Sequence, residues 1–348
     1  FNVAIGVHLK PMEKAIFRGI SAVFGGTTVM KGLNAAERGI QVKRKWDKFT
    51  NPYAILLDAS RFDQHCSRDI IDWEHSIENK LALDRSEMTR LNRLRRTNTC
   101  FFRTNEGGYR YVLNGVRMSG DMDTAMGNCL TMCGMTYSFM SSMGIKEYEY
   151  MNDGDDGVLI VERRDKDLVL NNFKEYFLKF GFTMKLEGVA DYIEGIEFCQ
   201  ARPVFDGTNY RFVRDPRVCI GKDSLSLKNS TDVESLKELR NSVGWCGLSL
   251  AGDMPIYWRL YESMVSSAER SEGFVNGMQF LAKGMPAKHS EPTDESRLSF
   301  YKAYGITPDS QISVEQLIHD YPTDITRPAV PVISSHNNYL PTIPSFEF

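Results

Sequence analysis

The sequence has no CxxC pair, nothing near the ~18 consecutive apolar residues a membrane span requires, and no dominant sign of charge. Its seven cysteines (66, 100, 129, 133, 199, 219 and 246) are odd in number and scattered. Neither a disulfide framework nor a zinc site is indicated, and reduced thiols in a cytosolic protein fit best. Forty-two basic residues against 45 acidic ones give a net charge of −3. That excludes a globally basic nucleic-acid coat, but leaves room for a basic channel inside a balanced protein. The opening FNVAIGVHLK has no initiator Met and no basic-then-apolar signal pattern, and it reads as a piece of something longer.

What is there is a chain of 348 residues, 42% apolar and 25% charged. These values fit a globular protein, and the length suits several modules or one multi-lobed enzyme. Residues 10–48 are expected to be helical and basic, interrupted at Gly25-Gly26 and Gly32. Lys43-Arg44-Lys45 with Lys48 reads as a solvated helix face, with a phosphate-contacting surface as the alternative. AILLDAS (54–60) is an apolar run ending at an acid, a buried strand that delivers Asp58 to a surface. Ser67 can cap a helix in which Ile70, Trp73, Ile77 and Leu81 recur at core-facing spacing. Residues 85–103 carry six arginines against one acid, Glu87.

A hairpin-like turn at Gly107-Gly108 follows, and Ser119 to Met143 reads as one long helical stretch. KEYEYMNDGDDGVLIVE is a hairpin with carboxylates at its tip. Asp167–Phe180 is a helix ended by Gly181, and strand-like runs follow at Phe182–Leu186 and Ile193–Ala201. Beyond about residue 205 helices dominate, and a proline-bearing tail from about Arg327 is expected to be extended or disordered.

Two acidic strings carry chemistry: Asp58 and Asp63 in DASRFD, and Asp153, Asp155 and Asp156 in NDGDDG. Carboxylates gathered at strand ends repel one another unless cations neutralise them. Hard oxygen ligands suit Mg²⁺ or Mn²⁺, and two such ions form the standard clamp for phosphoryl transfer. DGDDG is not an EF-hand loop, because Gly157 and Val158 stand where that loop needs Asp or Asn and then Gly. Gly221-Lys222-Asp223 is not a phosphate loop, since Pro216 occupies the required glycine position. Taken alone, an Asp-Gly turn is the blander reading. A third string, SGDMDTAMGN (119–128), changes the odds by its order and spacing: Thr124 and Asn128 lie four apart on one helix face after a Ser-Gly turn.

In this order the strings resemble the RNA-directed RNA polymerases of positive-strand RNA viruses, within them the tombusvirus-like, carmovirus-type replicases. DASRFDQH resembles motif A, RMSGDMDTAMGNCL motif B, NDGDDGVLIVE motif C, FTMKLEG motif D and IEFCQARPV motif E; MKGLNAAERG upstream is also similar. The resemblance implies an α+β right hand with an antiparallel-sheet palm, fingers and a mainly helical thumb. It divides the chain into partial fingers (1–50), palm (51–75), a fingers insertion (76–117), palm again (118–205), thumb (206–326) and tail (327–348). The basic fingers motif that grips the triphosphate in that family would precede this sequence, so the N-terminal fingers portion is expected to be missing.

The same resemblance implies residue roles. Asp58 and Asp155 are the first choice of metal ligands, with Asp156 completing the cluster around Mg²⁺ or Mn²⁺. Asp63, Ser119 and Asn128 would hold the ribose hydroxyls, with Gly120 in the same turn and Thr124 ordering it. Lys185 would protonate pyrophosphate, an exposed structural lysine being the other reading. Cys199 and Gln200 belong to the primer grip. Arg93, Arg95 and Arg96 would line the template path, against a solvated helix face. Implied partners are template and nascent RNA, ribonucleoside triphosphates and a viral auxiliary replication protein, in the host cytoplasm at membrane-associated replication complexes. A reverse transcriptase and a non-catalytic RNA-binding scaffold remain the alternatives.

Overall fold

The computed structural model describes residues 1–223, 233–265, 280 and 282–321; the expected tail from Arg327 lies outside them. Helix α1 (Asn2–Phe24) ends at Gly25, whose φ of 73° gives the left-handed cap that glycine adopts without cost. α2 (Ala35–Trp46) begins with a capping box in which Asn34 and Glu37 each accept the other's backbone amide. Next come β1 (Pro52–Ala59), the single turn α3 (Phe62–His65), α4 (Arg68–Leu81) and α5 (Arg85–Arg95). A ribbon of β2 (Thr97–Thr104) and β3 (Gly107–Asn114) leads to the long α6 (Thr124–Ser142). β4 (Tyr148–Asp153) and β5 (Asp156–Glu162) form the expected hairpin, followed by α7 (Lys166–Leu178) and β6 (Met184–Ala190). β7 (Ala201–Phe205) and β8 (Tyr210–Arg214) make a second ribbon. The described remainder is helical: α8 (Pro216–Lys222), α9 (Val233–Ala251), α10 (Tyr257–Glu262), α11 (Asp294–Tyr304) and α12 (Pro308–Asp320).

The main sheet has the order β4-β5-β1-β6 with every neighbouring pair antiparallel, which makes β1 a central strand. Successive side chains point to opposite faces, and both faces are covered. Ile55, Leu57, Leu159 and Val161 enter a core shared with α1, α4, α6 and α7. Ala54, Leu56, Val158 and Ile160 enter a second core with Val42 of α2 and with Phe198 and Phe212. A strand buried on both sides requires an unbroken apolar run, which AILL provides. A third core joins β7 and β8 to helices α8 to α12.

Four expectations need correction. The buried face of α4 carries Ile71, Glu74, His75 and Glu78, whereas Trp73 and Leu81 are exposed and Ile70 and Ile77 only partly buried. Counting apolar residues missed that face because its carboxylates are buried with partners. Lys45 likewise leaves the solvated face: it is buried against Glu149 at 2.6 Å, and Lys48 binds the same carboxylate. The helix expected from Ser119 begins only at Thr124, since Gly120 adopts φ 97° in the preceding loop. The run Ile193–Ala201 is a 3₁₀ turn followed by two left-handed residues, Cys199 and Gln200, and so is no strand. The actual strands, β7 and β8, straddle residue 205.

α2 lies against β8 without room for a side chain at Gly39, where a Cβ would stand 1.9 Å from the Tyr210 carbonyl oxygen. Backbone must move to admit it, so Gly39→Ala is expected to cost about 2–3 kcal/mol. Gly19, in α1, has open space around the same position. Gly19→Ala should stabilise by about 0.5–1 kcal/mol through helix propensity. Denaturant midpoints of the two variants, moving in opposite directions, check both values.

Candidate active site

Two strand ends meet at the site. β1 pairs with β5 as far as Leu57–Gly157, and with β6 at Asp58–Lys185. Asp58 shares its face of β1 with Ala54 and Leu56, and Asp156 shares its face of β5 with Val158 and Ile160, so alternation sends both carboxylates to the same side. β4 and β5 are joined by the two-residue turn Gly154-Asp155, with Gly154 at φ 86°, the conformation a tight hairpin asks of glycine. Asn152 holds this turn: its amide donates to the Gly154 carbonyl at 2.8 Å and the Asp156 carbonyl at 3.1 Å. Asp155 is thereby fixed at the tip between the other two acids.

The electrostatics record that crowding. Asp58 is pushed up from the ordinary carboxylate range by burial and then by Asp155, with Lys185 opposing. Asp156 is pushed up by burial, then by Asp155 and Asp58. Glu187 joins the same field: it is raised by burial, Asp58 and Asp156. This residue is skipped by the β1–β6 register, which shifts from Leu56–Gly188 to Leu57–Leu186; bulges of this kind re-aim side chains beside active sites. Asp153 is different. Lys31 pairs with it and Arg38 donates to it at 2.6 Å, so it is neutralised from the α2 side.

Beside the acids, three residues from distant segments converge. Asp63 accepts from the Ser119 hydroxyl and, at 2.8 Å, from the Asn128 side-chain amide. Asn128 is buried, and its Oδ1 has no partner among the described residues. Thr124 donates to the Met118 carbonyl at 2.9 Å, closing the loop that carries Ser119 and Gly120.

Arg117 anchors that loop from beneath. Its guanidinium binds both Glu74 oxygens at 2.6 and 2.7 Å and Asp123 at 2.9 Å, while its backbone amide donates to the Asp63 carbonyl at 3.0 Å. Thr131 also donates to Glu74. Arg95 belongs to this network and not to a surface: it is buried, paired with Glu78 and, at 2.7 Å, with Asp123. Arg96 binds Asp72 at 2.6 Å, and Arg93 alone of the three arginines is exposed. Their guanidiniums therefore do not form one patch, and Arg95 is removed from the template path.

Cys199 and Gln200 occupy consecutive left-handed positions, φ 51° and 58°, where Phe198 and Ala201 bridge. Burial and the neighbouring Asp153 and Asp156 push the Cys199 thiol well up, which keeps it protonated beside Asp156. Sequence reasoning missed Lys31, Arg38, Asn152, Glu187 and the Arg117 network. Lys31 and Arg38 lie within the quoted MKGLNAAERG string and Asn152 directly precedes the acidic tip, but no local spacing says which carboxylate each side chain will meet.

The donor set fits a hard divalent cation. Asp58, Asp155 and Asp156 offer carboxylate oxygens, burial and neighbouring carboxylates disfavour the ionised forms of Asp58 and Asp156, and Lys185 is the cation opposing this at Asp58. Among the described residues no three His, Cys, Asp or Glu side chains are gathered at ligand spacing, so the fit rests on donor chemistry and shared charge.

Residues 1–325 match the family described as viral RNA dependent RNA polymerase. The RNA-directed RNA polymerase of Melon necrotic spot virus is 38% identical over 323 residues, covering 90% of this chain and 41% of the relative. That of Oat chlorotic stunt virus is 36% identical over 343 residues, covering 93% and 46%, and that of Carnation mottle virus 37% identical over 322 residues, covering 90% and 42%. The chain thus spans less than half the length of these relatives.

Because the fold penalises ionised Asp58, Asp58→Asn is expected to raise the thermal midpoint of the cation-free protein at pH 7. The carboxyl's folded pKa lies above its unfolded value, so the penalty is complete above the folded pKa and is relieved as pH falls towards the unfolded one. The gap between variant and wild type should close accordingly. Melting curves in EDTA at pH 7 and near pH 4 test this, and a variant less stable at pH 7 would contradict it.

Proposed function

As the chain belongs to the viral RNA dependent RNA polymerase family, we propose that it carries the nucleotidyl-transfer site of an RNA-directed RNA polymerase and extends an RNA strand on an RNA template. The observation that carries this is the meeting of Asp58, Asp155 and Asp156 beside the Asp63–Ser119–Asn128 cluster. The four-stranded sheet serves as palm, residues 1–50 and 76–117 as fingers, and the helices after residue 205 as thumb. Helices on both sheet faces and a separate C-terminal core support that division.

Asp58, Asp155 and Asp156 would hold Mg²⁺ or Mn²⁺. When bound, the cation supplies charge neutralisation for the triphosphate and Lewis-acid polarisation at phosphorus. The protein's own groups do the rest. Asn152 and the Gly154 turn keep Asp155 in place before any nucleotide arrives. Asp63, already accepting from Ser119 and Asn128, presents with them a fixed set of donors and acceptors to the ribose. The unpartnered Asn128 Oδ1 suits a hydroxyl donor, and a 2′-hydroxyl is both donor and acceptor. Lys185, across from Asp58, gives its proton to the departing pyrophosphate. The Cys199-Gln200 turn lies against Asp156 and supports the primer strand.

A decayed, purely RNA-binding scaffold would have no reason to keep three crowded, mutually repelling acids. A reverse transcriptase would have no use for the Asp63–Asn128 pair. Within an infected cell the chain would act in the cytoplasm, brought by other segments or by a viral auxiliary protein to membrane-associated replication complexes. Among the described residues no helix is long and apolar enough to cross a membrane.

Template-dependent incorporation tests the reading, and Asp155→Ala is expected to lower it by roughly 10²-fold or more. Sugar choice gives a finer test. A deoxynucleotide leaves the Asn128 and Ser119 polar atoms unpaired, at about 1–3 kcal/mol each. Discrimination of on the order of a hundredfold in kcat/KM should follow for the wild type. Asn128→Ala should shrink it by lowering ribonucleotide efficiency, whereas Thr124→Ala should slow both substrates alike. An unchanged ratio in both Asn128→Ala and Asp63→Ala would remove these residues from ribose recognition.

A further inference from the structure

Among the described residues, no core lies beneath either face of the β2–β3 ribbon. Phe101 is 75% exposed, Phe102 57%, Tyr109 70% and Tyr111 48%. The ribbon is closed across its base, where the Gly115 amide donates to the Arg96 carbonyl at 2.9 Å and the Asn98 side chain to the Val116 carbonyl at 3.4 Å, and it is tied to the body where the Val116 amide donates to the Cys66 carbonyl at 2.9 Å. Register sorts the rings. Phe102 lies opposite Tyr109 and Cys100 opposite Tyr111, so three rings share one face. Phe101 opposes Arg110 and Arg103 opposes Gly108 on the other face, and the Arg110 guanidinium stands 5.8 Å from the Phe101 ring centre. A lone two-stranded ribbon is marginal in water, and clustered exposed rings mark a surface that something covers.

Charge decides the occupant. From Arg85 to Asn114 the sequence has seven arginines (85, 90, 93, 95, 96, 103 and 110) and two acids, Glu87 and Glu106. Arg90 is paired with Glu87, Arg95 with Glu78 and Asp123, and Arg96 with Asp72. Among the described residues Arg85, Arg93, Arg103 and Arg110 have no carboxylate partner, and the last two lie on the ribbon. Flat rings on one face and guanidiniums without carboxylate partners on the other complement a polyanion with flat bases; an apolar protein surface wrapping the ribbon would bury those guanidiniums uncompensated.

We propose that the β2–β3 ribbon is a platform for single-stranded RNA, separate from the acid cluster. Phe102, Tyr109 and Tyr111 stack bases on one face, and Arg103 and Arg110 meet the phosphates of the same strand where it wraps the tip. The choice of RNA as the polyanion rests on the proposed polymerase activity; the platform itself rests on rings, register and charge.

The test is fluorescence anisotropy of labelled oligo(U) RNA with the whole chain, its Phe102→Ala/Tyr109→Ala variant and its Arg103→Ala/Arg110→Ala variant. All four side chains are solvent-facing, so melting curves should match the wild type's. Loss of the rings should weaken binding roughly tenfold or more with an unchanged salt slope. Loss of the arginines should also weaken it, and lower the slope of log K against log salt by about 1.4, two phosphates at roughly 0.7 each. Binding within twofold of wild type in both variants would overturn the proposal. So would a ribbon variant that disperses a self-associated chain in sedimentation while binding RNA normally. Asp155→Ala separates the two ideas: it should abolish incorporation and keep oligo(U) affinity. Ribbon variants that bind RNA normally sink the platform alone; failure of the full-length protein to incorporate nucleotides, with RNA binding still lost when the ribbon is altered, sinks the polymerase alone.

Discussion

The buried guanidinium of Arg117 fixes the geometry on which the candidate site depends. It joins α4 through Glu74, the start of α6 through Asp123 and, by its own backbone amide, the segment after β1 at Asp63. The neighbouring Val116 amide donates to Cys66 at 2.9 Å, and Val116 takes φ 68°, a conformation a β-branched residue adopts only when held. Gly127 completes the arrangement, because a Cβ there would stand 2.5 Å from the Arg117 side chain. Two guanidiniums, Arg95 and Arg117, thus face three carboxylates, Glu74, Glu78 and Asp123. His75 lies among them with both ring nitrogens unbonded, and burial followed by Arg95 pulls it down to about 3. It stays neutral, which leaves the network with one more carboxylate than guanidinium.

The acid cluster is built on the opposite plan. In the Arg117 network Glu74 binds Arg117 with both oxygens, Asp123 faces both guanidiniums and Glu78 pairs with Arg95, so each buried charge has an opposite charge against it, the condition under which burying ions is tolerable. At the end of β1, carboxylates are placed side by side with one lysine on the flank. The first arrangement gives a rigid loop and the second leaves unsatisfied charge, and they are only a few residues apart in sequence: Asp58 and Asp63 sit in one string. Rigidity at Asp63 is what lets strain persist at Asp58, since acids on a loose loop would drift apart until their repulsion vanished.

This contrast also explains what could be read in the sequence. The strand delivering Asp58, the hairpin presenting Asp155 and the helix bearing Asn128 were all legible, because apolar runs and Asp-Gly turns are local signals. The meeting of Asp63, Ser119 and Asn128 was legible through the order of their strings. The Arg117 network was not. A count of apolar residues placed the buried side of α4 at Ile70, Trp73, Ile77 and Leu81, whereas Glu74, His75 and Glu78 line it. Charged residues are expected outside unless paired, and pairing over 43 positions, from Glu74 to Arg117, leaves no local trace. Arg95 was assigned to a surface for the same reason. Cys199 and Gln200 defeated the strand reading differently, by taking left-handed conformations that an apolar count cannot see.

Asp153 shows how the two plans are joined. It belongs to the same acidic string as Asp155 and Asp156, yet it is the one acid of the string with two cations of its own. Lys31 and Arg38 come from the segment around the α2 capping box, whose Asn34 side chain also reaches the Lys283 carbonyl at 3.3 Å. Arg38 lies 5.8 Å from the ring centre of Phe198, next to the Cys199-Gln200 turn. One short stretch of chain therefore touches the acidic hairpin, the turn beside Asp156 and the segment leading to α11. It borders a cavity of about 910 Å³ that β8, α8 and α9 also line. Neutralising Asp153 takes it out of the repulsion around Asp58, Asp155 and Asp156, and the cations doing so tie the hairpin to the segment that carries them.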